Sequence, residues 1–129
     1  MMKSLARALV ATIAICAVQP AWADGDAALG KAVFNKCMAC HDARKETNKV
    51  GPHLVGLIGR TAGTVAGYKY SQAMIDAGAG GLVWDEASIA EYLKAPKEKV
   101  PGNKMAFAGL KKDEDIANVI AWLKADHKP

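Results

Sequence analysis

Apolar residues recur at i, i+3, i+4 and i+7 through Ile116, Val119, Ile120 and Leu123, the stripe of an amphipathic helix. Trp122 joins or flanks that stripe. Asp113 is placed to cap this helix, with Asp113, Glu114 and Asp115 at its positive end and Lys124 near its negative end, as the helix dipole favours. A first helix is predicted from a cap at Asp26 to about Cys37, with Leu29, Val33 and Phe34 on one face. Asp85 begins another, running to about Lys94, with Ile89, Tyr92 and Leu93 inward and Pro96 as its stop. Ser71 caps a short helix through Ala77, broken by Gly78-Ala79-Gly80-Gly81. From Asp42 to Gly67 there is little periodicity and six glycines or prolines. Such a loop must wrap something to be ordered. Pro101-Gly102 turns the chain into an extended stretch containing Met105. No alternating strand pattern persists and no repeat is visible, so the expected fold is all-α.

The N-terminus has a different pattern. Lys3 and Arg7 precede an apolar run from Ala8 to Val18, Gln19-Pro20 breaks it, and Ala21-Trp22-Ala23 matches a small-x-small cleavage site. A run of eleven residues falls short of the about 20 that a membrane-spanning helix needs. Residues 1–23 are therefore expected to be a cleaved secretory signal, and 24–129 a single domain. Cleavage after Ala23 removes Cys16, so two of the three cysteines remain. Fifteen basic residues then face thirteen acids, a net charge near +2. That modest balance does not suggest nucleic-acid binding, and because both remaining cysteines belong to one short motif, none is left for a structural disulfide. A domain of this size buries a modest fraction of its surface and gains from a large apolar ligand at its centre.

The two remaining cysteines stand in Cys37-Met38-Ala39-Cys40-His41, the attachment signature of c-type haem. Two thiols at this spacing can add to the two vinyl groups of a porphyrin, giving thioether bonds that pin the macrocycle to a short stretch of chain. His41 then falls under the iron as an axial nitrogen. A thioredoxin-like Cys-x-x-Cys needs a βαβ context that is missing here, and a structural zinc site needs a second ligand pair. Thioether formation also needs a compartment outside the cytosol, which agrees with the signal.

The other axial position has five candidates: Met38, Met74, Met105, His53 and His127. Met38 lies inside the attachment loop and is poorly placed for the opposite face. His127 is close to the chain end, His53 beside Pro52 reads as a surface residue, and Met74 in a predicted helix reads as core filler. Met105 follows a Pro-Gly turn in an extended segment that can lay a thioether against a ring. That soft donor favours reduced iron and raises the reduction potential.

The ordered set Gly30-Lys31-Ala32-Val33-Phe34, Cys37 to His41, Gly51-Pro52-His53-Leu54, Gly59-Arg60, Tyr70, Trp84, Tyr92-Leu93, Pro101 to Met105 and Ala121-Trp122-Leu123 resembles class I cytochrome c. The resemblance is to the mitochondrial type and its soluble bacterial relatives, from Gly25 to about Ala125. It implies a single cytochrome c domain of helices and loops wrapped around one covalently bound haem c, attached through Cys37 and Cys40, with His41 and Met105 on the iron. It implies that Gly30 and Phe34 meet Val119 and Trp122 where the first and last helices cross. The Pro52 carbonyl would accept the outer N–H of His41. Arg60, Tyr70 and Trp84 would hydrogen-bond a buried propionate, and Tyr92 would hold the sulfur of Met105. The chain departs from the mitochondrial pattern at Asn103, where that pattern has threonine, and at Met74, where it has asparagine.

The function these features imply is that of a soluble, monomeric periplasmic electron carrier, not an enzyme. Two retained axial ligands leave iron no open position and limit rearrangement on electron transfer. The resemblance places Lys36, Lys97, Lys104, Lys111 and Lys112 near the exposed haem edge. There they would steer the carrier to acidic docking faces of redox complexes: a cytochrome bc1-type reductase, a terminal oxidase, a reaction centre or a periplasmic dehydrogenase. Glu98 interrupts that ring. The alternative, a haem peroxidase or gas sensor, requires that Met105 not be a stable iron ligand.

Overall fold

A computed structural model describes residues 24–125; the predicted signal (1–23), its cleavage site and His127 lie outside the described residues. The described chain is helical: α1 (Ala27–Phe34), α2 (Gln72–Ala79), α3 (Glu86–Lys94), α4 (Pro96–Lys99) and α5 (Asp113–Ala125), with long loops between them. Among these residues no helix is long and apolar enough to cross a membrane.

The first and last helices cross and form the foundation of the core. The Asp26 carboxylate caps α1 by accepting from Ala28 N–H at 2.7 Å and Leu29 N–H at 3.1 Å. The same residue's own N–H donates to Oδ1 of the buried Asn118 at 2.7 Å, which ties the start of α1 to α5. Gly30 allows the backbones to close: a Cβ built there would stand 1.9 Å from the Asn118 carbonyl oxygen and 2.8 Å from Cβ of Trp122. One turn on, the rings of Phe34 and Trp122 stack at 4.3 Å. The expected crossing is therefore present, with Asn118 rather than Val119 against Gly30. Val119 is fully buried nearby in the core.

Four element boundaries differ from expectation. Helix α1 ends at Phe34 and not near Cys37; the chain continues as turns, with Cys37 N–H bonded to Phe34 O at 2.8 Å. Asp113 is the first residue of α5 and not its cap, and it pairs instead with Lys94 at 2.8 Å. Pro96 stops α3 as predicted, but it also opens α4, because a ring with no N–H and a fixed φ suits a first helical position. Asp85 caps α3 with a reciprocal Ser88 bond, and Ser71 caps α2, which runs two residues beyond Ala77.

The loop from 42 to 67 is ordered by pairing with the segment after α2. Gly59 N–H bonds Trp84 O at 2.8 Å, Trp84 N–H bonds Arg60 O at 2.9 Å, and Ala62 N–H bonds Leu82 O at 2.9 Å. A single antiparallel bridge joins Thr61 to Val83. These bonds seat Arg60 beside Trp84, which leads into the candidate site.

Candidate haem site

The motif residues form one tight turn. His41 N–H bonds Cys37 O at 2.9 Å and Cys40 N–H bonds the same oxygen at 3.1 Å, so both thiols and the imidazole issue from about one helical turn. Both cysteines are free and half-buried. Burial pushes the Cys37 thiol up, partly countered by Lys36. Lys49 reaches across to donate to the Met38 carbonyl at 2.5 Å, closing the turn from outside.

His41 is held by the loop that follows. Its Nδ1 donates to the Pro52 carbonyl at 2.7 Å, so the proton sits on Nδ1 and the Nε2 lone pair is left for a metal. Burial is the main reason its pKa falls below the ordinary imidazole value; the Pro52 bond opposes this, and Lys49 and Arg60 add to it. A neutral imidazole is the form that binds iron. Gly51 packs directly on the ring, and its N–H bonds Cys40 O at 2.8 Å.

Arg60 is half-buried and donates to Val55 O and His53 O, each at 3.1 Å. No carboxylate pairs with it among the described residues, and burial depresses its pKa. Tyr70 is its electrostatic neighbour; the Tyr70 oxygen accepts from Val65 N–H at 3.2 Å, leaving its own hydrogen to give. Trp84 and Tyr92 are buried with rings 4.9 Å apart. Tyr92 has its phenol pKa pushed up to about 12, mainly by burial. Its hydroxyl makes no bond to Met105: its ring lies against Trp84, while Met105 is carried half-buried on the loop after α4.

Of the other ligand candidates, Met38 projects outward at 52% exposed from the attachment turn, and Met74 is packed in the core at 8%. His53 departs from the surface reading. It is half-buried, its N–H donates to Asn48 Oδ1 at 3.1 Å, and its Nδ1 is enclosed without a partner. Lys49, Asn48 and Asn103 also shape the site and were not singled out as site residues from the sequence. Lys49 and Asn48 bond backbone groups well removed in sequence, at Met38 and Ala66, which no motif announces, whereas Asn103 bonds backbone groups nearby in the chain, at Pro96, Val100 and Met105.

These residues fit a haem. Two free thiols flank an imidazole whose tautomer is set for metal binding. A half-buried guanidinium without a counter-anion and a phenol with a hydrogen to give suit propionates. The partly buried Leu54, Leu82, Leu93, Met105 and Phe107 offer apolar surface against the core. That arrangement can hold a one-electron centre away from water.

The family model for cytochrome c matches residues 27–125. Cytochrome c2 of Agrobacterium tumefaciens (strain II Chrys) is 51% identical over 109 residues, covering 82% of this chain and 98% of that protein. Cytochrome c-550 of Nitrobacter winogradskyi is 53% identical over 100 residues, covering 77% and 89%. The solved structure of cytochrome cH from Methylobacterium extorquens superposes with a TM-score of 0.71 at 44% identity, covering 78% of this chain and 98% of that one. The chain belongs to the cytochrome c family, whose members bind haem covalently, and it is an electron-transfer protein rather than an enzyme.

Proposed function

We propose that this cytochrome is an exported, soluble carrier whose haem is joined to Cys37 and Cys40 and ligated by His41 Nε2 and the Met105 sulfur. When bound, the haem supplies the one-electron couple; the protein sets its potential and its access. The observation that carries the reading is the 2.7 Å bond from His41 Nδ1 to the Pro52 carbonyl. It holds the ring as the tautomer with Nε2 free, within the turn that bears both thiols. Arg60 and Tyr70 hold propionate oxygens, with the Trp84 indole beside them. Tyr92 lines the Met105 side. Arg60, Tyr70 and Trp84 each offer a donor where an unpaired carboxylate would otherwise be costly.

Residues 1–23 direct export, and cleavage after Ala23 releases the domain to the periplasm. Lys36, Lys97, Lys111 and Lys112 are exposed and steer it to acidic faces of a reductase, oxidase, reaction centre or dehydrogenase. Lys104 takes a smaller part in that ring, because its ammonium donates to Lys69 O and lies over the Tyr68 ring at 4.7 Å.

Mass spectrometry and a ferric visible spectrum of the exported protein test this reading. The expected mass is that of residues 24–129 plus one haem that resists acid extraction. The expected spectrum has the weak red-end absorption of iron–thioether coordination. An unmodified mass, or a missing band with ready carbon monoxide binding at neutral pH, overturns it. The rate of association with an anionic redox partner should also fall steeply with salt.

A further inference from the structure

We propose that Asn103 is a positioning residue for Met105: its amide side chain holds the backbone of that methionine against the core and so resists displacement of the thioether from iron. The inference rests on the reading of Met105 as a ligand. Asn103 Nδ2 donates to Pro96 O and to Val100 O, each at 2.9 Å. Its Oδ1 accepts from the N–H of Met105 at 2.9 Å. Two carbonyls on one side and an N–H on the other fix which amide atom is which, and they use both donors and the acceptor of the group. No hydroxyl side chain offers that set.

The two carbonyls are firm anchors. Pro96 is fully buried at the start of α4, and Val100, which follows that helix, is 3% exposed. The segment they hold is not firm by itself. Pro101, Gly102, Lys104, Ala106 and Ala108 are exposed, and from residue 103 to 110 the chain forms no helix or strand. Four other bonds steady it: Asn103 N–H to Val100 O at 3.1 Å, Lys104 to Lys69 O, Phe107 N–H to Met105 O at 2.9 Å, and, at the far end, Leu110 N–H to Leu93 O at 2.8 Å. Of these contacts, only the Asn103 bracket joins the Met105 peptide to the core side of the loop. A competing ligand must move Met105 aside. Each hydrogen bond lost in advance brings that displaced arrangement closer in free energy.

Imidazole, added to the ferric holoprotein at fixed pH and ionic strength, reads this directly through loss of the red-end band. Asn103→Leu and Asn103→Ala should each bind imidazole at least about tenfold more tightly than wild type, a shift of about 1.4 kcal/mol. Asp26→Ala, which removes the α1 cap remote from the loop, should lower the unfolding midpoint yet leave imidazole affinity within about twofold. Affinities of the Asn103 variants within twofold of wild type overturn the proposal, as does an equal rise in Asp26→Ala. If Asn103→Leu yields no holoprotein, Asn103→Ala decides. If neither matures, amide exchange in the wild type decides: Met105 N–H should be protected well beyond Ala106 N–H, and equal rates overturn the proposal. A wild-type protein without the red-end band instead sinks the ligand reading itself, and this proposal with it.

Discussion

Gly51 lies flush against the imidazole of His41: a Cβ added to the glycine would stand 2.3 Å from Cε1 and 2.7 Å from Nδ1 of the ring. Neither side can give way. The ring is fixed by its bond to Pro52 O, and the Gly51 backbone by its N–H to Cys40 O at 2.8 Å and its carbonyl to Lys49 N–H at 2.9 Å. The glycine is therefore part of the candidate site, since it makes room for the imidazole to be presented at one angle.

Gly51→Ala should accordingly damage both stability and ligation. Overpacking of a rigid contact costs about 1–3 kcal/mol, and here the group displaced is the proposed iron ligand. The expected result is a fall of about 2 kcal/mol or more in unfolding free energy of the holoprotein, with an altered ferric spectrum. Denaturant titration followed in the haem absorption band measures both. A variant with wild-type midpoint and spectrum would show that the ring tilts freely.

Gly30→Ala tests the helix crossing in the same way but away from the site. Alanine is the better helix former by about 1 kcal/mol, so propensity alone predicts stabilisation. The added methyl would stand 1.9 Å from the Asn118 carbonyl oxygen, a backbone atom with no rotamer to change. Steric cost should win, with a net loss of about 2 kcal/mol and a fall in Tm of roughly 10 °C for a domain of about 100 residues. Calorimetry decides the sign, and a raised Tm would refute the close crossing.

These contacts explain what was and was not legible in the sequence. Cys37, Cys40 and His41 are local in the chain, and their spacing states their chemistry. The stripe of α5 is equally plain, yet its start is not: Asp113, Glu114 and Asp115 all suit a helix N-terminus, and the helix begins at Asp113, whose carboxylate pairs with Lys94. Helix α4 is hidden in the sequence because Pro96 marks a helix stop, while the same ring geometry also begins a helix. Loop 42–67 was expected to wrap something, but its backbone partners at 82–84 lie far along the chain. Asn103 stood in view as a departure from a family pattern. Its use of all three hydrogen-bonding positions appears only when Pro96, Val100 and Met105 are brought around it.

Arg60 should act on the redox centre through charge as well as shape. A half-buried cation favours the reduced iron, which carries one positive charge fewer. Arg60→Gln should lower the reduction potential by on the order of tens of millivolts. Arg60→Lys keeps the charge but not the planar fork that reaches both Val55 O and His53 O, so its potential should lie between the two. Spectroelectrochemical titration at pH 7 gives all three values. An unchanged potential in Arg60→Gln would remove Arg60 from the site.

Tyr92 should leave a signature in alkaline stability. Its folded pKa is about 12 against 10.0 for an ordinary phenol; burial is the chief cause and the proximity of Tyr68 a lesser one. A raised folded value means that the neutral phenol is favoured in the native state. The resulting stability is fully present below pH 10, where folded and unfolded chains are both protonated. It is lost as pH rises from about 10 to about 12, because the unfolded chain ionises first. Two pKa units correspond to roughly 2–3 kcal/mol at most over that window. Tyr70, also raised by burial, contributes a slope of its own in the same direction, so the difference between wild type and Tyr92→Phe isolates Tyr92. Denaturant midpoints at pH 9, 10, 11 and 12 should show the variant losing less stability than wild type across the window. Parallel slopes would mean that the Tyr92 hydroxyl meets water freely in the folded protein.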